Sequence, residues 1–358
     1  MSRVRQAFRI LFVTLGSGRE ACTRVRVLQY LPYFAARGVA ADVLPFFPDV
    51  GDGGPTGKPS LVRRLADAQY PWRRALRVAR VAPDYDLVFL QRVLLPEPML
   101  RLLRRRARKL VFDFDDAIYT THAGAQPVPA DLADRFARTV GASDAVIAAT
   151  PHLCDRARAH RPRVHCIPSA VDCDRYRPRD RSGPAPRSVT IGWIGSSSTT
   201  MYLNPVLPLL RRLAAADPAV RIELVGARLP PDAAIHVHPW SLEDERERLA
   251  RFDIGIMPLD DDRWAAGKGG YKLLQYMACG IPSVASPIGA NTNIVGEGRT
   301  GFLAATAGEW DSCLRRLVAD RALRERMGQQ ARVEVESEHS LARWAPRLLE
   351  LLTQCAAA

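Results

Sequence analysis

Ala265-Ala266-Gly267-Lys268-Gly269-Gly270-Tyr271-Lys272-Leu273-Leu274-Gln275-Tyr276-Met277-Ala278-Cys279-Gly280 passes from a glycine-rich loop into a helix and stops at a glycine. The first turn of a helix offers unpartnered backbone N–H groups and the positive end of the dipole, so such a loop suits an anion. Lys268 lies in the loop, and Lys272 and Gln275 fall one turn apart on one helix face. Lysine is scarce in this arginine-rich chain, occurring only at 58, 109, 268 and 272. Two of the four therefore sit at one helix entrance, as compact point charges where a phosphate would bind. On this stretch alone, a flexible loop with solvated lysines is an equally open reading.

Outward from it, strand-like and helix-like segments alternate along the whole chain, which predicts α/β architecture with parallel sheets. In the first half, strands are expected over 9–15, 41–44, 87–91, 110–114, 145–148 and 164–168, with helices over 23–37 and 100–108. A loop rich in glycine, proline and aspartate is expected over 49–60. Residues 175–187 (RYRPRDRSGPAPR) carry no apolar period and read as a hinge. A second alternation follows, with strands over 189–194, 221–225, 235–237, 254–257 and 283–285. Helices are expected there over 204–215, 242–250, 271–279, 307–319, 321–338 and finally 341–352. The fold expected is two doubly wound domains facing a cleft, with ligands at the carboxyl ends of the strands.

The 358 residues suffice for two domains with proper cores, and 47% hydrophobic with 25% charged residues is ordinary for globular chains. No apolar run approaches the ~18–20 residues of a membrane span. The apolar run over 8–16 is short and broken by Arg9, so it reads as a first strand, not a secretory leader; a cytoplasmic protein is expected. Seven scattered cysteines without a C-x-x-C pair support neither a disulfide framework nor a zinc knuckle. His236 and His238 are a close pair without a third ligand, so no metal is expected. Residues 1–180 hold 30 Lys+Arg against 18 Asp+Glu, and the remainder 21 against 20. The basic first half suggests an anionic or lipid-linked acceptor, or peripheral contact with an acidic membrane. Nucleic acid is disfavoured, since no basic stripe is interleaved with aromatics.

Three further stretches carry chemistry. Gly195-Ser196-Ser197-Ser198 follows the first strand of the second half and suits a diphosphate cradle or a helix cap. Its spacing is neither a P-loop nor a dinucleotide fingerprint. Gly16-Ser17-Gly18-Arg19 follows the first strand of the chain, and Arg19, Arg24 and Arg26 would face an acceptor's negative charge or solvent. Asp113-Phe114-Asp115-Asp116 ends a strand. As a phosphoryl-hydrolase loop it lacks Thr or Val at 117, where Ala117 stands. A metal-binding D-x-D stays open, as does a carboxylate that orients a hydroxyl or takes its proton, or a plain loop cap.

Together these residues resemble the retaining GT-B glycosyltransferases of the glycosyl transferases group 1 family, GT4. The resemblance rests on Lys272 through Ser286 (KLLQYMACGIPSVAS), Gly289-Ala290-Asn291 and Gly298-Arg299-Thr300-Gly301-Phe302. Ile167-Pro168-Ser169-Ala170-Val171-Asp172 and Phe252-Asp253-Ile254-Gly255-Ile256-Met257-Pro258-Leu259 support it. It implies an acceptor domain over 1–180, a nucleotide-sugar domain over 181–338 and a helix over 339–358 crossing back to the first. It also implies sugar transfer from a nucleotide-sugar to a hydroxyl, retaining and metal-independent, with no cofactor. The family's E-x7-E acids are replaced by Gly267 and Gln275. Gln275 keeps hydrogen-bonding capacity for ribose, with Asp260, Asp261 or Asp262 as substitutes at the sugar. Lys268, Lys272 and Ser196–Ser198 become the diphosphate contacts, His238 and Trp240 the base contacts, and Asp115, Asp116 and Lys268 the catalytic candidates. Two other readings stay open: a non-catalytic binding relative, given the missing acids, and a nucleotide-sugar epimerase of the same fold.

Overall fold

The computed structural model describes residues 8–47, 61–121, 131–179 and 188–358, and the backbone alone of 61–69. The loop expected over 49–60 lies outside these residues, as does most of the proline-rich stretch after 179. The chain divides into two compact units, Met1–Ser169 with Trp344–Ala358, and Ala170–Arg343.

In the first unit β1 (Arg9–Thr14), β2 (Ala40–Pro45), β3 (Leu87–Gln91), β4 (Leu110–Phe114), β5 (Ala145–Ala148) and β6 (Val164–Cys166) form one parallel sheet in the order β2-β1-β3-β4-β5-β6. Every residue of β3, β4 and β5 is buried. Both faces of a parallel sheet are covered by crossover helices, and this is why these strands read as unbroken apolar runs. The helices here are α1 (Ala21–Arg26), α2 (Leu31–Ala35), α3 (Leu61–Val81), α4 (Glu97–Arg106), α5 (Leu132–Ala142) and α6 (Pro151–Arg158).

One helix expected over 23–37 is broken into α1, a 3-10 turn Leu28–Tyr30 and α2. Val27 leaves helical geometry (φ −131°, ψ −64°). Pro32, which lacks an N–H and crowds the carbonyl four residues before it, sits at the start of α2, where that loss is harmless.

The second unit repeats the plan. β7 (Val189–Ile194), β8 (Val220–Val225), β9 (His236–His238), β10 (Ile254–Met257), β11 (Ser283–Ala285) and β12 (Gly301–Leu303) are parallel in the order β12-β11-β10-β7-β8-β9. Its helices are α7 (Leu207–Ala216), α8 (Glu245–Ala250), α9 (Tyr271–Ala278), α10 (Asn291–Ile294), α11 (Ala307–Ala319), α12 (Arg321–Glu338) and the start of α13 (Leu341–Ala357). From Trp344 onward α13 is counted with the first unit. The strand order reverses between β1 and β3 in one sheet and between β7 and β10 in the other. At such switch points the loops leaving adjacent strands part and open a crevice at the carboxyl ends.

The division at Ser169 falls earlier than the proline-rich stretch. Tyr176, expected in a hinge, is buried in the core of the second unit with Ile194, Phe252, Tyr276 and Val335. Arg332 on α12 secures this segment: Nη1 donates to the carbonyls of Tyr176 (2.6 Å) and Ala278 (2.5 Å), and Nη2 to that of Cys173 (2.8 Å).

Candidate functional site

Of the residues expected to hold an anion in the second unit, Gly195 and Lys272 meet at the switch point of its sheet. α9 is seated there by Tyr276, whose hydroxyl accepts from Ile194 N–H and donates to the Ile256 carbonyl, each at 3.2 Å. One phenol thus joins the helix to β7 and β10, the two strands that flank the crevice. Gly270 enters α9 in the left-handed region (φ 70°), a conformation glycine adopts without steric penalty.

Lys272, in the first turn of α9, holds its Nζ 4.3 Å from the centroid of the Trp193 ring. A Cβ on Gly195 would lie 2.5 Å from that ring and 2.8 Å from the Lys272 Nζ, so only glycine leaves the ammonium this position. Gly226, at φ 78° after β8, lets its backbone meet the Gly195 carbonyl, which any Cβ there would strike at 2.1 Å. Ser196, Ser197 and Ser198 follow and are exposed. Ser196 and Ser198 share a hydroxyl–hydroxyl hydrogen bond of 2.8 Å. Lys268 stands in the preceding loop with Nζ 5.4 Å from the Trp264 ring centroid. Gly195 and the serines follow β7, and Lys268 stands in the loop from β10 to α9, so it is Lys272 that meets the β7 loop, at Trp193 and Gly195.

Gln275 is placed otherwise than its expected ribose role requires. It is 4% exposed, and its Nε2 donates to the Tyr176 hydroxyl (3.1 Å) and to Glu245 Oε1 (3.2 Å). Trp240, expected near the base, donates its Nε1 to Glu245 Oε2 at 2.6 Å, and the Tyr176 hydroxyl also bonds Oε1. A buried carboxylate demands such donors. The two residues thus serve an interior network around Glu245 that the sequence reading missed. His238 accepts from Arg248 Nη1 at 3.1 Å and has Nε2 3.7 Å from Glu223. Burial, then Arg248, lowers its pKa. Asp262 accepts from Ala265 N–H and the Tyr202 hydroxyl, and so shapes the loop before Lys268.

In the first unit the four residues 113–116 split by direction. Asp113, inside β4, faces Arg26: Nε to Oδ2 is 3.1 Å and Nη2 to Oδ1 is 2.5 Å, with both side chains at most 2% exposed. Arg26 also donates to the Ile167 carbonyl at 2.9 Å. It is an interior residue, not an acceptor contact. Asp115 and Asp116, past the strand, share Arg92 Nη1 at 3.1 and 2.8 Å. Arg92 was not foreseen. It follows β3 at φ 56°, the only non-glycine residue among those described with positive φ, and strain of this kind concentrates at functional sites. Burial raises the Asp115 carboxyl's pKa, Arg92 lowers it, and Asp116 raises it.

Arg24 braces its own loop, with Nη1 donating to the carbonyls of Gly18 (2.9 Å) and Arg19 (2.7 Å). Gly16, Ser17 and Gly18 form that loop: the Gly16 carbonyl accepts from Thr14 and Thr23, and Ser17 Oγ accepts from Arg19 N–H. Arg19 is exposed. Among the described residues no group of three His, Cys, Asp or Glu is arranged to hold a metal ion.

Residues 189–320 match the family model described as Glycosyl transferases group 1. Among curated proteins, the D-inositol 3-phosphate glycosyltransferase of Nocardioides sp. is 26% identical, covering 58% of this chain and 53% of its own. That of Nocardia farcinica is 26% identical, covering 63% and 55%. The chain thus spans about half the length of the curated relatives it matches. Among solved structures, Anabaena HepE in complex with UDP and glucose superposes with a TM-score of 0.66 at 15% identity, over 97% of this chain and 100% of that one. Sucrose-phosphate synthase from Thermosynechococcus elongatus gives 0.69 at 16%, over 98% and 100%. Residues 189–320 are thus similar to the glycosyl transferases group 1 family, and the two doubly wound parallel sheets are those of the GT-B fold.

Proposed function

We propose that this protein is a retaining, metal-independent glycosyltransferase of the GT4 type, moving a sugar from a nucleotide-sugar to a hydroxyl acceptor. The observation that carries the reading is Lys272, its ammonium over the Trp193 ring beside Gly195 at the switch point. Cleaving a sugar–phosphate bond builds negative charge on the departing diphosphate. Fixed cations in a site sheltered from water stabilise that charge strongly. Lys272 and Lys268 supply the cations, and Ser196–Ser198 the hydroxyl donors. UDP is the first donor nucleotide to try, since HepE is described with UDP. On the acceptor side, Asp115 orients the incoming hydroxyl or takes its proton, and Arg92 holds Asp115 in place.

Calorimetric titration of UDP, GDP, ADP and TDP at fixed salt tests the donor site. One nucleotide should bind in the micromolar range, and Lys272→Ala and Lys268→Ala should each weaken it by about 1–3 kcal/mol, the worth of a charged hydrogen bond. Binding of none, or unchanged binding in both variants, rejects the assignment. A non-catalytic relative is favoured by Gly267 at the first acid position and by the burial of Gln275 at the second. Turnover of donor with acceptor separates the two readings.

No helix among the described residues is long and apolar enough to cross a membrane. Peripheral contact, with the protein in the cytoplasm, is part of the proposal. Trp72 (46% exposed) and Leu76 (54%) stand on α3 among exposed Arg73, Arg77 and Arg80, a pairing of apolar and basic groups that suits an anionic lipid surface. Vesicles containing phosphatidylglycerol should sediment the protein and phosphatidylcholine vesicles should not, with Trp72→Ser/Leu76→Ser weakening the binding. Equal binding to both lipids, or to neither, overturns this part.

A further inference from the structure

Two cysteines of the first unit meet where β5, β6 and α6 come together. Cys166 ends β6, the outermost strand of its sheet, and pairs in register with Ala148 of β5. Cys154, one turn into α6, points its thiol back at the carbonyl of that same Ala148, Sγ to O being 3.9 Å. The two side chains thus stand beside one residue, Ala148, which Cys166 faces in the strand register and whose carbonyl the Cys154 thiol meets. Cys154 is fully buried, while Cys166 is exposed. One sulfur is thus open to reagents and the other waits behind it.

We propose that Cys154 and Cys166 form a reversible dithiol–disulfide pair, in which Cys166 is the peroxide-reactive thiol and Cys154 resolves it. The steps balance. The Cys166 thiolate attacks one oxygen of hydrogen peroxide, the O–O bond breaks, and Cys166 sulfenic acid and hydroxide are formed. Cys154 then loses its proton and attacks the Cys166 sulfur. The S–S bond forms and the sulfenic oxygen leaves as water, so the two thiols are oxidised and peroxide is reduced.

Chemistry supports this order. The thiolate is the attacking species, and the Cys166 pKa is lowered to about 7 by the hydrogen bond from Cys154, helped by Arg26 and Arg158. The other cysteines lean the other way. Burial raises Cys22 and Cys173 to about 11 and Cys279 to about 12. Cys355 and Cys313 are raised as well. In a reducing compartment, a pair built like this acts as a transient sensor, not a permanent staple. Cys166 also precedes Ile167, whose carbonyl Arg26 holds, so bridging would act on the segment that anchors the buried Arg26–Asp113 pair.

The test uses the full chain, reduced with dithiothreitol, desalted and exposed to hydrogen peroxide in a titration. N-ethylmaleimide then traps the remaining thiols for peptide mass mapping. The expected result is a loss of two thiols from the seven, a Cys154–Cys166 cross-linked peptide 2 Da below the sum of its parts, and reversal by dithiothreitol. In Cys154→Ser the reaction should stop at sulfenic acid, read as dimedone labelling of Cys166 at least fivefold above wild type. Cys166→Ser should consume no peroxide at the doses that oxidise wild type. If Cys154→Ser fails to fold, the wild-type map decides alone. Over-oxidation of Cys166 without a bridge, or a bridge to any other cysteine, overturns the proposal.

Discussion

Replacing Arg26 with alanine should destabilise the first unit by about 3–5 kcal/mol, the usual consequence of leaving one charge of a buried pair alone. Asp113 would keep its carboxylate at 1% exposure with its two guanidinium contacts gone, and the Ile167 carbonyl would lose its donor as well. Because the chain has two units, a single unfolding midpoint mixes them. Native-state hydrogen exchange at the amides of β3 and β4 reads the first unit alone. Those amides should exchange roughly 10²-fold to several thousandfold faster in Arg26→Ala, at about 1.4 kcal/mol per factor of ten. A companion variant, Arg26→Met/Asp113→Leu, should recover most of the loss, since apolar replacement of both partners is often neutral or stabilising. Exchange within a factor of three of wild type in Arg26→Ala would show that the pair stabilises nothing.

Asp115→Asn should lower turnover by about 10²- to 10⁴-fold, the range for removing a general base, while leaving nucleoside diphosphate affinity unchanged. The amide keeps the shape and a carbonyl oxygen for Arg92 but cannot take a proton. The pH dependence follows from the environment of the carboxyl, which burial moves above its ordinary 3.8 despite Arg92. A raised acid holds its proton more tightly in the folded protein. Its stabilising contribution is therefore complete below the ordinary value and fades as pH rises through the raised one. Activity runs the other way, because the carboxylate form is gained over the same interval. The acid limb of kcat/KM should accordingly lie above 3.8 in wild type and vanish in Asp115→Asn. Turnover within threefold of wild type would remove Asp115 from the mechanism and leave it as a partner of Arg92 only.

The sheets were legible because parallel strands buried on both faces leave unbroken apolar runs. Leu87–Gln91 and Leu110–Phe114 are found at their expected bounds. β12 opens on Gly301, which weakens its strand signal, and the apolar spacing of Val27, Tyr30, Leu31 and Phe34 masked the break that Pro32 marks. The lysine loop drew attention because lysine is rare in this chain, whereas the partners of Lys272 at Trp193 and Gly195 lie nearly eighty residues away. Arg92 and Glu245 drew no attention. Glu245 sits in a run, Glu243-Asp244-Glu245-Arg246-Glu247-Arg248, that looks like a solvated face. Its burial is set by Tyr176 and Gln275, 69 and 30 residues away. Arg92 is one arginine among many until β3 and β4 are laid side by side, when it meets Asp115 and Asp116. The same long-range pairing withdrew Arg26 from the acceptor face, although it lies only two residues from Arg24.

Arg332 holds the segment after Ser169 through the backbone carbonyls of Cys173 and Tyr176, and α9 through that of Ala278. Carbonyls are present whatever residue is encoded, so substitutions at Cys173, Tyr176 or Ala278 leave this attachment standing. Lysine cannot replace the arginine, since one ammonium does not present the two separate nitrogens that reach three acceptors. The attachment is therefore lopsided: the side chains of the tethered residues take no part in it, while the tether depends on a single codon.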